Sequence, residues 1–203
     1  PKKLKKGEKF TFKINWNYNI PDRMKQGGRG GYEFFPEDGN HLFTMTQWYP
    51  RLCVYSDFHG WQTNQFTGRG EFALTFGNFK VTMNVPADHM VAGTGECKNY
   101  EQTLTPTQLA RYKKAQNATE PVQIVTLEEA TKAEKSKSKE RKTWVFEAEN
   151  VRDFAWTSSR KYSWDAMPQL IKENNNKVMC MSFYPKESYH LYSKYSTKAV
   201  AHT

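Results

Sequence analysis

The most regular alternation of apolar and polar residues lies near the start of the chain. Phe10, Phe12, Ile14, Trp16, Tyr18 and Ile20 are interleaved with Thr11, Lys13, Asn15, Asn17 and Asn19. Successive side chains of a strand point to opposite faces, so the pattern predicts one half-buried strand over 10–20, with Trp16 on its buried side. Pro21-Asp22 ends it, and the glycines of QGGRGG (26–31) predict a loop. Further strands are expected over 71–76 and 79–85, joined as a hairpin through Gly77-Asn78. Others are expected over 90–94, 122–125, 143–146, 154–157 and 178–184, with Trp144 and Phe146 sharing one face.

Two helix starts interrupt this β-rich reading. Thr105-Pro106-Thr107-Gln108 is a capping box with Pro at the first helical position, and Thr126-Leu127-Glu128-Glu129 is a second. In each, the Thr hydroxyl satisfies an orphan amide while the Gln or Glu reaches back. Both belong to one helical insertion at about 104–138. Short strands separated by Gly, Pro and Asn predict a mainly β fold, a β-sandwich or saddle-shaped sheet with that short insertion.

Composition modifies this picture in three ways. Apolar residues make up only 37% of the chain, but aromatics reach 15%, so the expected core is built on large rings. The net charge of +9 is concentrated in Lys2, Lys3, Lys5 and Lys6 and in KAEKSKSKERK (132–142). Glu134 and Glu140 interrupt the second run, which favours a solvated face over a nucleic-acid stripe. No apolar run approaches the ~18 residues of a membrane span. Cys53, Cys97 and Cys180 form no Cys-x-x-Cys pair. Nothing assigns a compartment, and cell envelope and cytoplasm both remain open. Because Pro1 leads almost directly into the first strand, the chain is expected to begin inside a longer protein.

Catalytic patterns are absent. Of His41, His59, His89, His190 and His202, none is followed by Glu and no two are four residues apart, so no HExxH zinc site can form. A Gly-x-Ser-x-Gly elbow is missing, and QGGRGG has neither the spacing nor the setting of a phosphate loop. Asp57 and His59 read as a local loop pair. Glu71 alone places no second carboxylate opposite itself. Asn117-Ala118-Thr119 matches a glycosylation sequon, a pattern common by chance. Six tryptophans (Trp16, Trp48, Trp61, Trp144, Trp156 and Trp164) are compatible with core packing or with stacking on sugar rings.

Several segments, in order, resemble the N-terminal domain of the aminopeptidase N and leukotriene hydrolase family of zinc metallopeptidases. LKKGEKFTFKINWNYNI (4–20) is similar to the Leu-x-x-Gly-Glu segment that introduces a strand there. The stretch 44–96, with QWYPR, GWQ, GRGEF and VPADH, resembles a bacterial branch of the family. FEAENVRDFAWTSSRKYSWD (146–165) is similar to the last part of that domain, and YSTKAVAHT (195–203) to a lead-in to the catalytic domain.

The resemblance implies a non-catalytic, substrate-covering β domain over 1–195, with its first strands missing, and a lead-in at 196–203 to a catalytic domain that is not in this chain. It further implies that the parent enzyme removes N-terminal residues from peptides with one zinc ion held downstream, and that this chain needs no cofactor of its own. The implied partners are that downstream domain and, in the full enzyme, a peptide. Nucleic acid is not implied. Carried over by residue, Gln47 and Tyr49 occupy the places that meet the substrate's free amine. Tyr49 departs from the usual Glu or Gln, and both residues are equally compatible with a plain strand and its turn. A reading from a different class is a stand-alone β-sandwich module that binds polysaccharide or another polymer.

Overall fold

A computed structural model describes residues 3–65, 68 and 73–203. In chain order the elements are α1 (Arg23–Gln26), β1 (Gly31–Phe35), β2 (Asn40–Met45), β3 (Tyr55–Ser56), β4 (Gly60–Trp61), β5 (Gly77–Pro86) and β6 (Met90–Gly93). There follow β7 (Glu96–Cys97), α2 (Tyr100–Thr103), α3 (Pro106–Ala115), β8 (Val122–Val125), α4 (Leu127–Ser136) and β9 (Arg141–Val151). The chain ends with β10 (Trp156–Ser159), β11 (Ser163–Ile171), β12 (Asn176–Tyr184), a 3-10 turn (Lys186–Ser188) and α5 (Tyr189–His202).

Among the described residues the strands form four open antiparallel sheets, in the orders β1-β2-β10-β6, β12-β11-β8, β3-β4 and β5-β9-β7. The fold is therefore a mixed α/β domain with open sheets and no barrel. Its longest strand shows why the sheets form where they do. Trp144, Phe146 and Ala148 of β9 point to one side at period two and are buried. Opposite them on β5 stand Met83, Val81 and Phe79, in cross-strand register.

The core runs continuously from this sheet to the β1-β2-β10-β6 and β12-β11-β8 sheets. Trp144, Phe146, Phe154, Tyr162, Trp164, Ile124 and Ala115 belong to one buried cluster. Fully buried Trp164 stacks on Phe183 at 4.9 Å and meets Tyr100 and Tyr112, each at 5.6 Å. Large rings thus make the core that the low apolar fraction left in question. A tight crossing at Gly95 lets β7 reach β9. Its φ is +84°, and a Cβ there would lie 2.2 Å from the Glu147 carbonyl oxygen, so both conformation and space require glycine.

Both helix starts form as expected. The side chains of Thr105 and Thr126 accept from the amides of Gln108 and Glu129, and those side chains accept in return from the Thr amides. The 104–138 segment is more than a helical insertion, however. Between its helices β8 pairs with β11, so the segment is built into a sheet.

Several other expectations are corrected. Residues 10–20 form no strand: among the described residues they have no ladder partner, and Phe10, Phe12, Ile14, Trp16 and Tyr18 are exposed. Trp16 is 46% exposed rather than buried. Alternation encodes the ability to pair, but a strand exists only where another backbone supplies the hydrogen bonds. Gly77-Asn78 is no hairpin turn. Both residues lie inside β5, whose partner β9 lies far along the chain. Residues 73–76 are not strand, and the rest of the 71–76 expectation falls outside the described residues. The strand expected over 154–157 is shifted to 156–159. The helix α5 was not foreseen: the 196–203 stretch lies largely within it, and it packs on β12 and β11 through Thr197, Ala201 and a Ser196–Ser182 hydroxyl contact of 2.8 Å.

Candidate functional site

The segment carrying Gln47 and Tyr49 leaves β2 at Met45 and bends sharply. Trp48 holds it down, donating from its indole to the Phe154 carbonyl at 2.9 Å and meeting the rings of Phe154 and Trp156 edge-on. On the other side Trp16, from the exposed 10–20 arm, donates to the Trp48 carbonyl at 3.2 Å. So fixed, Tyr49 directs its hydroxyl to Asp153 at 3.1 Å. Arg51 pairs with the same carboxylate at 2.9 Å, donates to the Arg152 carbonyl, and lies 5.5 Å over the Tyr49 ring.

Chemically this is a neutralised cluster. Burial pushes the Tyr49 phenol up to about 12 despite the nearby Arg51 charge, and the Asp153 carboxylate adds to the rise. The phenol therefore stays protonated at physiological pH, and the carboxylate it meets belongs to Asp153. Gln47 is exposed in the bend, and no hydrogen bond to its amide is seen among the described residues. The structure thus brings Tyr49 into a polar cluster and leaves Gln47 beside it, facing solvent. Sequence reasoning missed Arg51 and Asp153. Arg51 follows the Tyr-Pro turn directly, but Asp153 is 104 residues from Tyr49, and no local pattern announces a pair so separated.

Three other groupings bear on chemistry. Asp38, Glu134 and Glu187 bring ligand oxygens within 4.8 Å of one another, an arrangement able to converge on a cation. The Lys161 ammonium, fully buried, already sits among them. It contacts Asp38, Glu134 at 2.9 Å and Glu187 at 3.0 Å, with the Phe35 ring 4.4 Å away. Lys186 adds a second ammonium to Asp38 and Glu134. Burial by itself would lower the Lys161 pKa, but hydrogen bonds to the three carboxylates outweigh it and hold it above the usual lysine range. A cation here would have to displace an ammonium, so the donor set fits a salt-bridge network better than a metal centre.

His89 and Ser158 share a hydrogen bond of 2.9 Å. With 5% and 1% exposure they cannot meet a substrate, and Asp88 is turned to Ser136, Ser138 and Arg160 instead. A cavity of about 510 Å³ opens between β7, α2, α3 and β12 over Cys97, Tyr100, Tyr112, Met179 and Met181. Burial pushes the Cys97 thiol up to about 11, so it is not a nucleophile there. Asp57 and His59 fall in the β3–β4 turn, and Glu71 lies outside the described residues. Among the described residues no helix is long and apolar enough to cross a membrane.

Comparison with known proteins adds no identity: no protein-family model, no curated protein and no solved structure matches the chain.

Proposed function

We propose that this chain is the non-catalytic, substrate-covering domain of a zinc-dependent aminopeptidase of the aminopeptidase N type, with a saddle-like arrangement of its sheets. The observation that carries the reading is the ordered series of segments, from LKKGE to FAWTSSRKYSWD, that resembles that domain. The Gln47–Tyr49 bend supports it. An exposed amide stands beside a phenol whose hydroxyl and ring are held by Asp153 and Arg51. In the parent enzyme Gln47 offers a carbonyl oxygen to the peptide's terminal ammonium, while Tyr49 shapes the wall behind it and carries no charge. The zinc and its bound water belong to the domain downstream, where they supply the hydrolytic chemistry.

The test is a sequence and an assay. The reading frame beyond Thr203 is expected to encode a Gly-x-Met-Glu-Asn segment, then HExxH with a further Glu. The 203-residue chain alone is expected to release no aniline from aminoacyl-anilides with zinc present. A frame without those motifs, or chelator-sensitive hydrolysis by this chain, overturns the proposal.

The second reading, a polymer-binding module, is favoured by one observation: Trp16, Tyr18, Tyr55 and Trp61 are all exposed. Saturable quenching of tryptophan fluorescence by a soluble polysaccharide, lost on Trp61→Ala, would favour it over the peptidase reading.

A further inference from the structure

Three sulfur side chains border the cavity of about 510 Å³ between β7, α2, α3 and β12: Cys97 from β7, and Met179 and Met181 from β12. Two residues apart on a strand, the methionines share one face, which Phe183 continues against Trp164. Cys180 and Ser182 take the opposite face, where Ser182 meets Ser196 of α5. Tyr100 spans the two strands. Its hydroxyl lies 4.0 Å from Met181 Sδ. Burial is the main reason the Tyr100 and Tyr112 phenols titrate high, but charge on Cys97 adds to the rise in each, so the sulfur is close to both.

A methionine that only fills a core leaves no gap beside it, whereas these thioethers border open space. Thiolate and thioether are soft donors and select soft cations over magnesium or calcium. Hard donors are few. Among the described residues of the lining there is no histidine, and the carboxylate present, that of Glu96, is paired with Lys98.

We propose that Cys97, Met179 and Met181 form a binding site for a soft monovalent cation, copper(I). Binding breaks the Cys97 S–H bond, forms a metal–thiolate bond and releases the proton to solvent. The two thioethers donate lone pairs without a change of charge, and no electron is transferred. Burial pushes the thiol up to about 11, against the opposing pull of the Asn99 and Val145 amides, so one proton leaves per cation across the neutral range. The site lies apart from the Gln47–Tyr49 bend and does not depend on the peptidase reading.

The test uses the 203-residue chain carrying Cys53→Ser, which removes the exposed thiol. Anaerobic titration with copper(I) against the chromogenic chelator bicinchoninate is expected to show one tightly held equivalent. Affinity is expected to rise about tenfold per pH unit between pH 6 and 8, the signature of one displaced proton. Cys97→Ala is expected to abolish uptake. Cys180→Ala, on the other face of β12, is expected to keep the affinity of the parent. Met179→Leu combined with Met181→Leu nearly conserves side-chain volume, so the urea midpoint is expected to change little. Binding by that variant is expected to weaken by at least about tenfold, the least that even an outer-shell partner contributes to a metal site.

Three results overturn the proposal. One is uptake no greater than that of Cys97→Ala. Another is full affinity in the double leucine variant, which would make Cys97 a solitary thiol rather than part of a sulfur site. The last is affinity independent of pH, which would mean that no thiolate forms.

Discussion

His89 packs 6.4 Å from the Phe43 ring, bonds to the Ser158 hydroxyl, and is almost fully buried. Burial, with Arg160 next in weight, pushes its pKa down from 6.5 to about 4, against the opposing pull of Asp88. The folded state therefore prefers the neutral imidazole more strongly than the unfolded chain does. Stability from this group is fully present above pH 6.5, falls as pH drops toward 4, and changes no further below that. The full fall amounts to about 3 kcal/mol. Urea melts at pH 7 and at pH 4.5 are expected to show most of it in the natural chain and little in His89→Gln. An equal loss in both would assign the acid sensitivity to other groups. Tyr49 stands, in the sequence itself, where the family's pattern has Glu or Gln. A phenol held at a pKa of about 12 carries no charge for an ammonium, and the nearest carboxylate, on Asp153, is already paired with Arg51.

At the scale of elements, α4 has both arms of its capping box in place, closed through Thr126 and Glu129. Glu129 also pairs with Arg111 of α3 at 2.7 Å, so the cap joins two helices as well as starting one. Thr126→Ala is expected to lower the stability of the folded chain by about 1 kcal/mol, read as a shift in the urea midpoint without a change in slope. Thr126→Ser, which keeps the hydroxyl, is expected to recover most of it. The 10–20 arm makes the contrasting case. Its alternation is the most regular in the chain, yet it pairs with no backbone among the described residues. The β5–β9 pair shows the completed version of the same pattern.

Across the whole molecule, the buried network around Lys161 ties together four stretches distant in sequence. Asp38 comes from the turn between β1 and β2, Glu134 from α4, Lys161 from the turn between β10 and β11, and Lys186 and Glu187 from the 3-10 turn. Asn40 extends it by donating to the Glu134 carbonyl at 3.2 Å and accepting from Arg160 at 3.1 Å. Breaking one partner of such a network leaves its opposite charge buried without compensation. Lys161→Met is expected to cost about 3–5 kcal/mol in chemical denaturation. Lys186→Met, which removes the more exposed ammonium, is expected to cost clearly less. Similar costs for the two would mean that burial does not set the strength of these pairs.

Local patterns in the sequence carried both helix starts, the β8 strand at its observed bounds, the buried parity of Trp144 and Phe146, and the absence of an HExxH site. Each depends on residues within a few positions of one another, where spacing translates directly into geometry. What only the tertiary structure decided depends on distant partners. The β5–β9 pairing in place of a local hairpin is one case, and the unpaired state of the 10–20 arm is another. The docking of α5 on β12, the insertion of Lys161 among three carboxylates and the closure of Tyr49 on Asp153 complete the set. A strand, a buried ion pair or a hydrogen bond across 104 residues exists only when the fold delivers both halves, and neither half alone bears a mark of the other.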